Sequence, residues 1–277
     1  MRIFFYLIVI VFLLVYPQDT AHAARDALIV WGESVVPLLF PYMLFCRTLF
    51  DSLRRISIPM HAVAAALGIM GGSPSGAAAL TSCSGAVPKR VFFSLCALTG
   101  TVSPMFILGS VRSWTGDPPL CAKLLLSHWA GAILCAAAVF VWYRKETVFC
   151  APCAQSHSTH ATPLSQSIDA IFQVGGCIIG YSVISEILKI LLRSLPVLHP
   201  VIHAALEMSG GIHAICKSKM LPDQRSILLA AVLGFSGISI LSQNHAFLKH
   251  AGVSMHQLTV FALLRMLISA GVMALML

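Results

Sequence analysis

Apolar residues in this chain fall in long unbroken runs, punctuated by basic pairs and by clusters of Gly, Ser, Thr and Pro. Runs without alternation read as helices rather than barrel strands. Residues 1–17 form a short run behind Arg2 and read as a first transmembrane helix; Ala21-His22-Ala23 keeps a cleaved signal peptide open as the alternative. Residues 27–50 are long enough to cross, and Pro37 and Pro41 are expected to kink that helix. In 59–87, two apolar pieces of about eleven residues flank Gly71-Gly72-Ser73-Pro74-Ser75-Gly76. Eleven helical residues rise only about 16 Å, half a bilayer, so the segment predicts a re-entrant hairpin with its tip near the midplane. Residues 91–111 cross but are interrupted by Thr99-Gly100-Thr101-Val102-Ser103-Pro104. A polar loop at 112–119 and a span at 121–143 complete the half.

The second half repeats this order. Residues 167–192 cross, with Gly175-Gly176 and Gly180 where the first half has its prolines. Residues 199–216 are again short and again broken, at Glu207-Met208-Ser209-Gly210-Gly211. Residues 227–247 cross with Gly234-Phe235-Ser236-Gly237-Ile238-Ser239 inside them, and 258–277 end the chain. Gly71-Gly72 aligns with Gly210-Gly211, and Arg90 with Arg225. The expected fold is an all-α polytopic membrane protein, an inverted repeat of span, re-entrant hairpin, broken span and span. Its parts are an N-terminal segment (1–26), a first repeat (27–143), a linker loop (144–166) and a second repeat (167–277). An odd number of crossings per half turns the second half upside down, the plan of many secondary transporters.

Composition agrees. Hydrophobic residues make up 58% of the 277 and charged ones 10%, against about 25% charged in soluble domains. Mean hydropathy is +0.87. The net charge of +8 sits at the ends of apolar runs, in Arg54-Arg55, Lys89-Arg90 and Arg144-Lys145. That is the positive-inside pattern, not a nucleic-acid surface, and no nucleic-acid partner is expected. With the N-terminus in the cytoplasm those three pairs fall inside, while Lys217, Lys219 and Arg225 fall outside, against the rule. Several of the nine Cys lie within apolar runs, where a thiol behaves as a small hydrophobe, and the odd count argues against a disulfide framework.

Breaking a helix within lipid exposes backbone groups that only protein or a water-filled cavity can cover. Four such breaks at matched positions predict a solute site whose helix N-termini suit an anion. Its expected residues are Ser73, Pro74, Ser75 and Gly76; Thr101 and Ser103; Glu207, Ser209 and Gly210; Ser236, Gly237 and Ser239. Glu207 is the sharpest, because a carboxylate at membrane depth is costly unless it binds something; the structural alternative is a cap on the broken hairpin. Gln243 and Asn244 either line the path or mark where the helix meets water. Glu33 and Glu186 read as structural, Glu186 through a pair with Lys189. Cys150, Cys153, His157 and His160 have metal-ligating chemistry, but their tight spacing in a Ser/Thr/Ala-rich linker reads as a flexible connector, so no metal and no cofactor is expected. No nucleophile elbow, Walker loop or H-E-x-x-H is present, and the chain is not expected to be an enzyme.

The motifs Gly72-Ser73-Pro74-Ser75-Gly76-Ala77, Thr99-Gly100-Thr101-Val102-Ser103-Pro104-Met105-Phe106, Ala205-Leu206-Glu207-Met208-Ser209-Gly210-Gly211 and Leu233-Gly234-Phe235-Ser236-Gly237-Ile238-Ser239, in that order, resemble the YlbJ-like sporulation integral membrane proteins, also called SpoVV. That family belongs to the wider nucleoside-recognition, or Gate, group and looks distantly like concentrative nucleoside transporters, whose hairpins and broken helices form the substrate site. The resemblance runs from about residue 31 to the C-terminus. It implies a multi-pass cell-membrane protein of an endospore former, in the mother-cell or outer forespore membrane, exporting dipicolinate toward the forespore. One position departs: where the family's first hairpin often carries a Lys after its Gly-Ala, this chain has Ala78. The expected partners are the lipid bilayer and a small anionic solute, with homo-oligomerisation left open. Nucleoside transport and a non-transporting sporulation scaffold are the alternatives.

Overall fold

The computed structural model describes residues 2–53, 58–81, 84–149, 162–195 and 198–277. Arg54 and Arg55, and the Cys150, Cys153, His157 and His160 cluster, lie outside the described residues. The described chain is almost wholly helical. Its elements are α1 (Arg2–Val15), α2 (Pro17–Leu53), α3 (Met60–Gly71), α4 (Ser75–Thr81), α5 (Lys89–Thr99), α6 (Pro118–Trp142), α7 (Pro163–Leu191), α8 (His199–Leu206), α9 (Met208–Cys216), α10 (Pro222–Phe235), α11 (Gly237–Leu248) and α12 (Met255–Met276). Among the described residues, five helical stretches are long and apolar enough to cross a membrane: α2, α6, α7, the α10–α11 pair through Ala251, and α12. Broad bands of exposed apolar side chains, such as Phe45, Leu126, Ile133, Phe172 and Leu267, face outward, as a lipid solvent demands. The protein is a multi-pass membrane protein.

The predicted hairpins and broken spans are present. In the first half, α3 and α4 pack side by side across Gly72-Ser73-Pro74, and α5 gives way after Thr99 to a stretch that resumes as a π-turn at Phe106–Val111. In the second half, α8 and α9 are parted by the single residue Glu207, and α10 and α11 by Ser236. The halves repeat the same neighbour pairs: hairpin arm on hairpin arm, broken span against the last span of its half, and leading span against hairpin. Lys89 N donates to Val148 O (2.9 Å) and Arg90 N to Glu146 O (3.3 Å), which sets two of the basic pairs at one face, as their charge pattern predicted.

Two details of the leading span differ from expectation. The helix starts at Pro17, so position 27, expected to open a new segment, falls mid-helix. It also runs through Pro37 and Pro41, with a π-turn at Val30–Val35 just ahead of Pro37. An i→i+5 register leaves room for the backbone groups that a proline disrupts, which explains the continuity. On the facing span, Gly175 is a packing residue: a Cβ there would come within 2.5 Å of the Trp31 ring, whose Nε1 donates to Ile171 O at 3.2 Å.

Candidate solute site between the helix breaks

Each hairpin tip abuts the broken span of its own half. Gly72, with φ +65°, lets the backbone press so close that a Cβ would meet Ser103 N at 2.4 Å, and Ser73 N donates to Thr101 O at 2.8 Å. In the second half Gly237, with φ +79°, faces Met208 N in the corresponding way, at 3.2 Å from a Cβ. Across the centre, the Ser73 hydroxyl donates to Asn244 Oδ1 and ties the first hairpin's tip to the second broken span.

Between these elements lies a cavity of about 40 Å³ lined by Ser73, Ser103, Glu207, Ser209, Ser239 and Gln243, with Val35, Leu39, Val102, Phe106 and Met208 forming its apolar walls. A larger cavity of about 350 Å³ lies beside it, among α2, α7 and the second hairpin. Glu207 and Ile178 line both, so they form the wall between them.

The Glu207 carboxylate is 1% exposed and accepts from Ser209 N (2.9 Å) and Gly210 N (2.6 Å). It therefore caps the N-terminus of α9, where charge and helix dipole reinforce each other. The expectation that helix N-termini at the breaks stand free for an anion is corrected here: those of α9 are already occupied by a carboxylate. At the first hairpin three donors, Ser73 N, Gly76 N and Ala78 N, also bond backbone carbonyls.

The remaining expected residues sit around the cavity rather than in its wall. Gly210 lines the larger cavity. Asn244 stands behind Ser73, and Gln243 and Asn244 are both buried, which removes the alternative that they mark a helix meeting water. Thr101 contributes its carbonyl to Ser73. The Ser236 hydroxyl turns back to Leu233 O (3.0 Å), and Gly76 packs on Gly68, where a Cβ would meet the Gly68 Cα at 2.7 Å. Ser75 is buried, as its place at the foot of α4 requires. Pro74 belongs to the tip turn, in a cis peptide bond with Ser73. Glu186 pairs with Lys189 at 2.9 Å, as its spacing predicted.

Over an alignment of 307 residues that covers 90% of this chain and 75% of the relative, the sequence is 22% identical to the sporulation integral membrane protein YlbJ of Bacillus subtilis (strain 168). The chain is thus similar to a sporulation integral membrane protein over most of its length, in line with the resemblance its motifs carry. No family model matches it, and no solved structure does.

Sequence reasoning missed two buried residues beside this core. Arg265 on α12 is 2% exposed; its Nη1 donates to Ala97 O (2.9 Å) and its Nε to Gly234 O (3.3 Å). Those carbonyls stand in the last turns of α5 and α10, the halves that lead into the two breaks. One guanidinium thus caps both broken spans at their negative ends. His128 on α6 accepts from Val102 N at 3.2 Å, inside the first break. The rule that flagged Glu207, an ionisable group inside an apolar run, applies equally to Arg265 and His128 and would have found both.

Proposed function

We propose that this protein carries a small organic anion across the sporulating cell's membrane, with dipicolinate as the substrate suggested by the YlbJ resemblance. The observation behind this reading is the convergence of both hairpin tips and both broken spans on one small polar cavity, separated from a large cavity by Glu207 and Ile178. A pair of interrupted elements repeated in both halves is the usual mark of a transporter's central site. About 40 Å³ holds a water or two and no dicarboxylate. The inner cavity therefore corresponds to a closed state, and loading requires the hairpin tips to separate from the broken spans.

The lining supports an anion through hydroxyl and amide donors, Ser103, Ser209, Ser239 and Gln243. Glu207 opposes it. Two like charges about 4 Å apart repel by roughly 4 kcal/mol at an effective dielectric of 20. An ionised Glu207 and a bound carboxylate are thus poor neighbours, and the site takes an anion best when Glu207 is neutral.

Purified protein in proteoliposomes tests the reading. Labelled dipicolinate is expected to accumulate above protein-free vesicles, with unlabelled dipicolinate competing and nucleosides not. Competition by nucleosides alone would favour the nucleoside-transporter alternative. No uptake of either solute in either direction, by a folded protein, would leave the scaffold role.

A further inference from the structure

The first arm of the second hairpin carries His199, His203 and Glu207 at four-residue intervals, which sets them in one stripe along α8 and its end. All three line the larger cavity, and Glu207 alone of them also lines the inner one. His203 Nε2 is buried and has no hydrogen-bond partner. It faces the same spot as the carboxylate: a Cβ on Gly210 would meet His203 Nε2 at 2.9 Å and Glu207 Oε2 at 3.2 Å. The two groups are therefore within the reach of one bridging water. The other titratable or charged groups on this cavity are Asp26 from α2, Glu186 and Lys189 from α7, and His213 from α9. Cys177 of α7 lies near Glu207, while α11 presents the neutral Ser239 and Gln243, and α10 puts no charged side chain on either cavity.

We infer that this stripe is a proton path, and that protonation of Glu207 is coupled to entry of the anion. The cargo half of the inference rests on the transport reading above; the proton half does not. A hydronium in the water of the larger cavity gives a proton to His203 Nε2: one of its O–H bonds breaks, an N–H bond forms and a water is left behind. The N–H bond then breaks, and the proton passes directly or through one water to Glu207 Oε2, forming an O–H and cancelling the carboxylate charge. Nothing is oxidised or reduced. Chains of acids and histidines within a membrane serve this purpose in pumps and transporters, because each member titrates and each is reachable from the last. Protonation changes the wall in two ways. The neutral acid no longer repels an incoming carboxylate. It also loosens its grip on Gly210 N and Ser209 N, the bonds that fix the hairpin tip.

Infrared difference spectroscopy on the purified protein in detergent tests the proton half without any cargo. Wild type is expected to show a protonated-carboxyl C=O band that grows as pH falls and is lost in Glu207→Gln. His203→Gln, with His203→Ala as a second variant, should keep the band but slow its deuterium exchange at least tenfold. A band that is absent, that survives Glu207→Gln, or that exchanges equally fast without His203 overturns the path, whether or not the protein moves any anion. In proteoliposomes an imposed pH gradient should change the initial rate of dipicolinate uptake at least fivefold. Uptake indifferent to the gradient overturns the coupling and leaves the transport reading standing.

Discussion

Arg265 is the largest fully buried side chain among the described residues, and no carboxylate there pairs with it. Its burial is offset by carbonyls, of Ala97 and Gly234, that each need a donor because their helices stop a few residues on. A buried cation can be replaced by an isosteric apolar side chain at no cost when desolvation dominates. Here the replacement would strand two carbonyls at helix ends. Arg265→Met is therefore expected to destabilise the protein by about 3 kcal/mol, at 1.5–3 kcal/mol per charged hydrogen bond less the desolvation relieved. Arg265→Lys, which keeps the charge and one donor, should fall between. Thermal unfolding in detergent orders the three proteins; a Met variant as stable as wild type would show the guanidinium to be a burden rather than a cap. The residue was legible in the sequence as a charge in a long apolar run. Which helix ends it serves was not, because Ala97 and Gly234 are far away in the chain and meet Arg265 only through packing.

At the scale of elements, the sequence marked the breaks well and their geometry less well. Glycine, serine and proline clusters in mid-run identified both hairpins and both interrupted spans, since those residues neither propagate a helix nor resist tight turns. The extent of each break was hidden: residues 208–211, expected to be part of the second gap, are helical, and Glu207 alone makes the turn by capping α9. The direction of each hydroxyl was hidden too, because it depends on how a helix is rotated; Ser239 faces the cavity and Ser236 its own helix. The π-turn at Val30–Val35 has no residue signature beyond its nearness to Pro37. The glycines themselves divide by environment. Gly72→Ala would put a Cβ 2.4 Å from Ser103 N on a left-handed backbone, and should displace the first hairpin and lower the melting temperature sharply. Gly176→Ala meets nothing within 4 Å and removes a flexible residue from a helix, so it should be neutral or gain up to about 1 kcal/mol. Melting temperatures of the two variants in the same detergent check this; equal effects would mean that the close approach at the hairpin tip is relieved at little cost.

For the whole molecule, the question is what must move. Packing is extensive within each half and also between them, through α2 on α7 and α6 on α12, whereas among the described residues the first hairpin's tip is tied to the second broken span by one side-chain bond, from Ser73 to Asn244. Packed units part as bodies most readily where few polar ties hold them, and the Ser73–Asn244 junction is such a place. The inner cavity, at about 40 Å³, must enlarge several-fold to admit a ligand of drug-like or metabolite size, and it lies along this junction. Ser73→Cys with Asn244→Cys, in a chain whose nine native cysteines are replaced, places two thiols across it. A short bifunctional thiol reagent should then abolish most dipicolinate uptake in proteoliposomes, with recovery when the link is cleaved, while either single variant is unaffected by the reagent. Transport that continues through an intact cross-link would place the moving boundary elsewhere. The remaining cross-half contacts, α2 on α7 and α6 on α12, would then be the surfaces along which the solute's path opens.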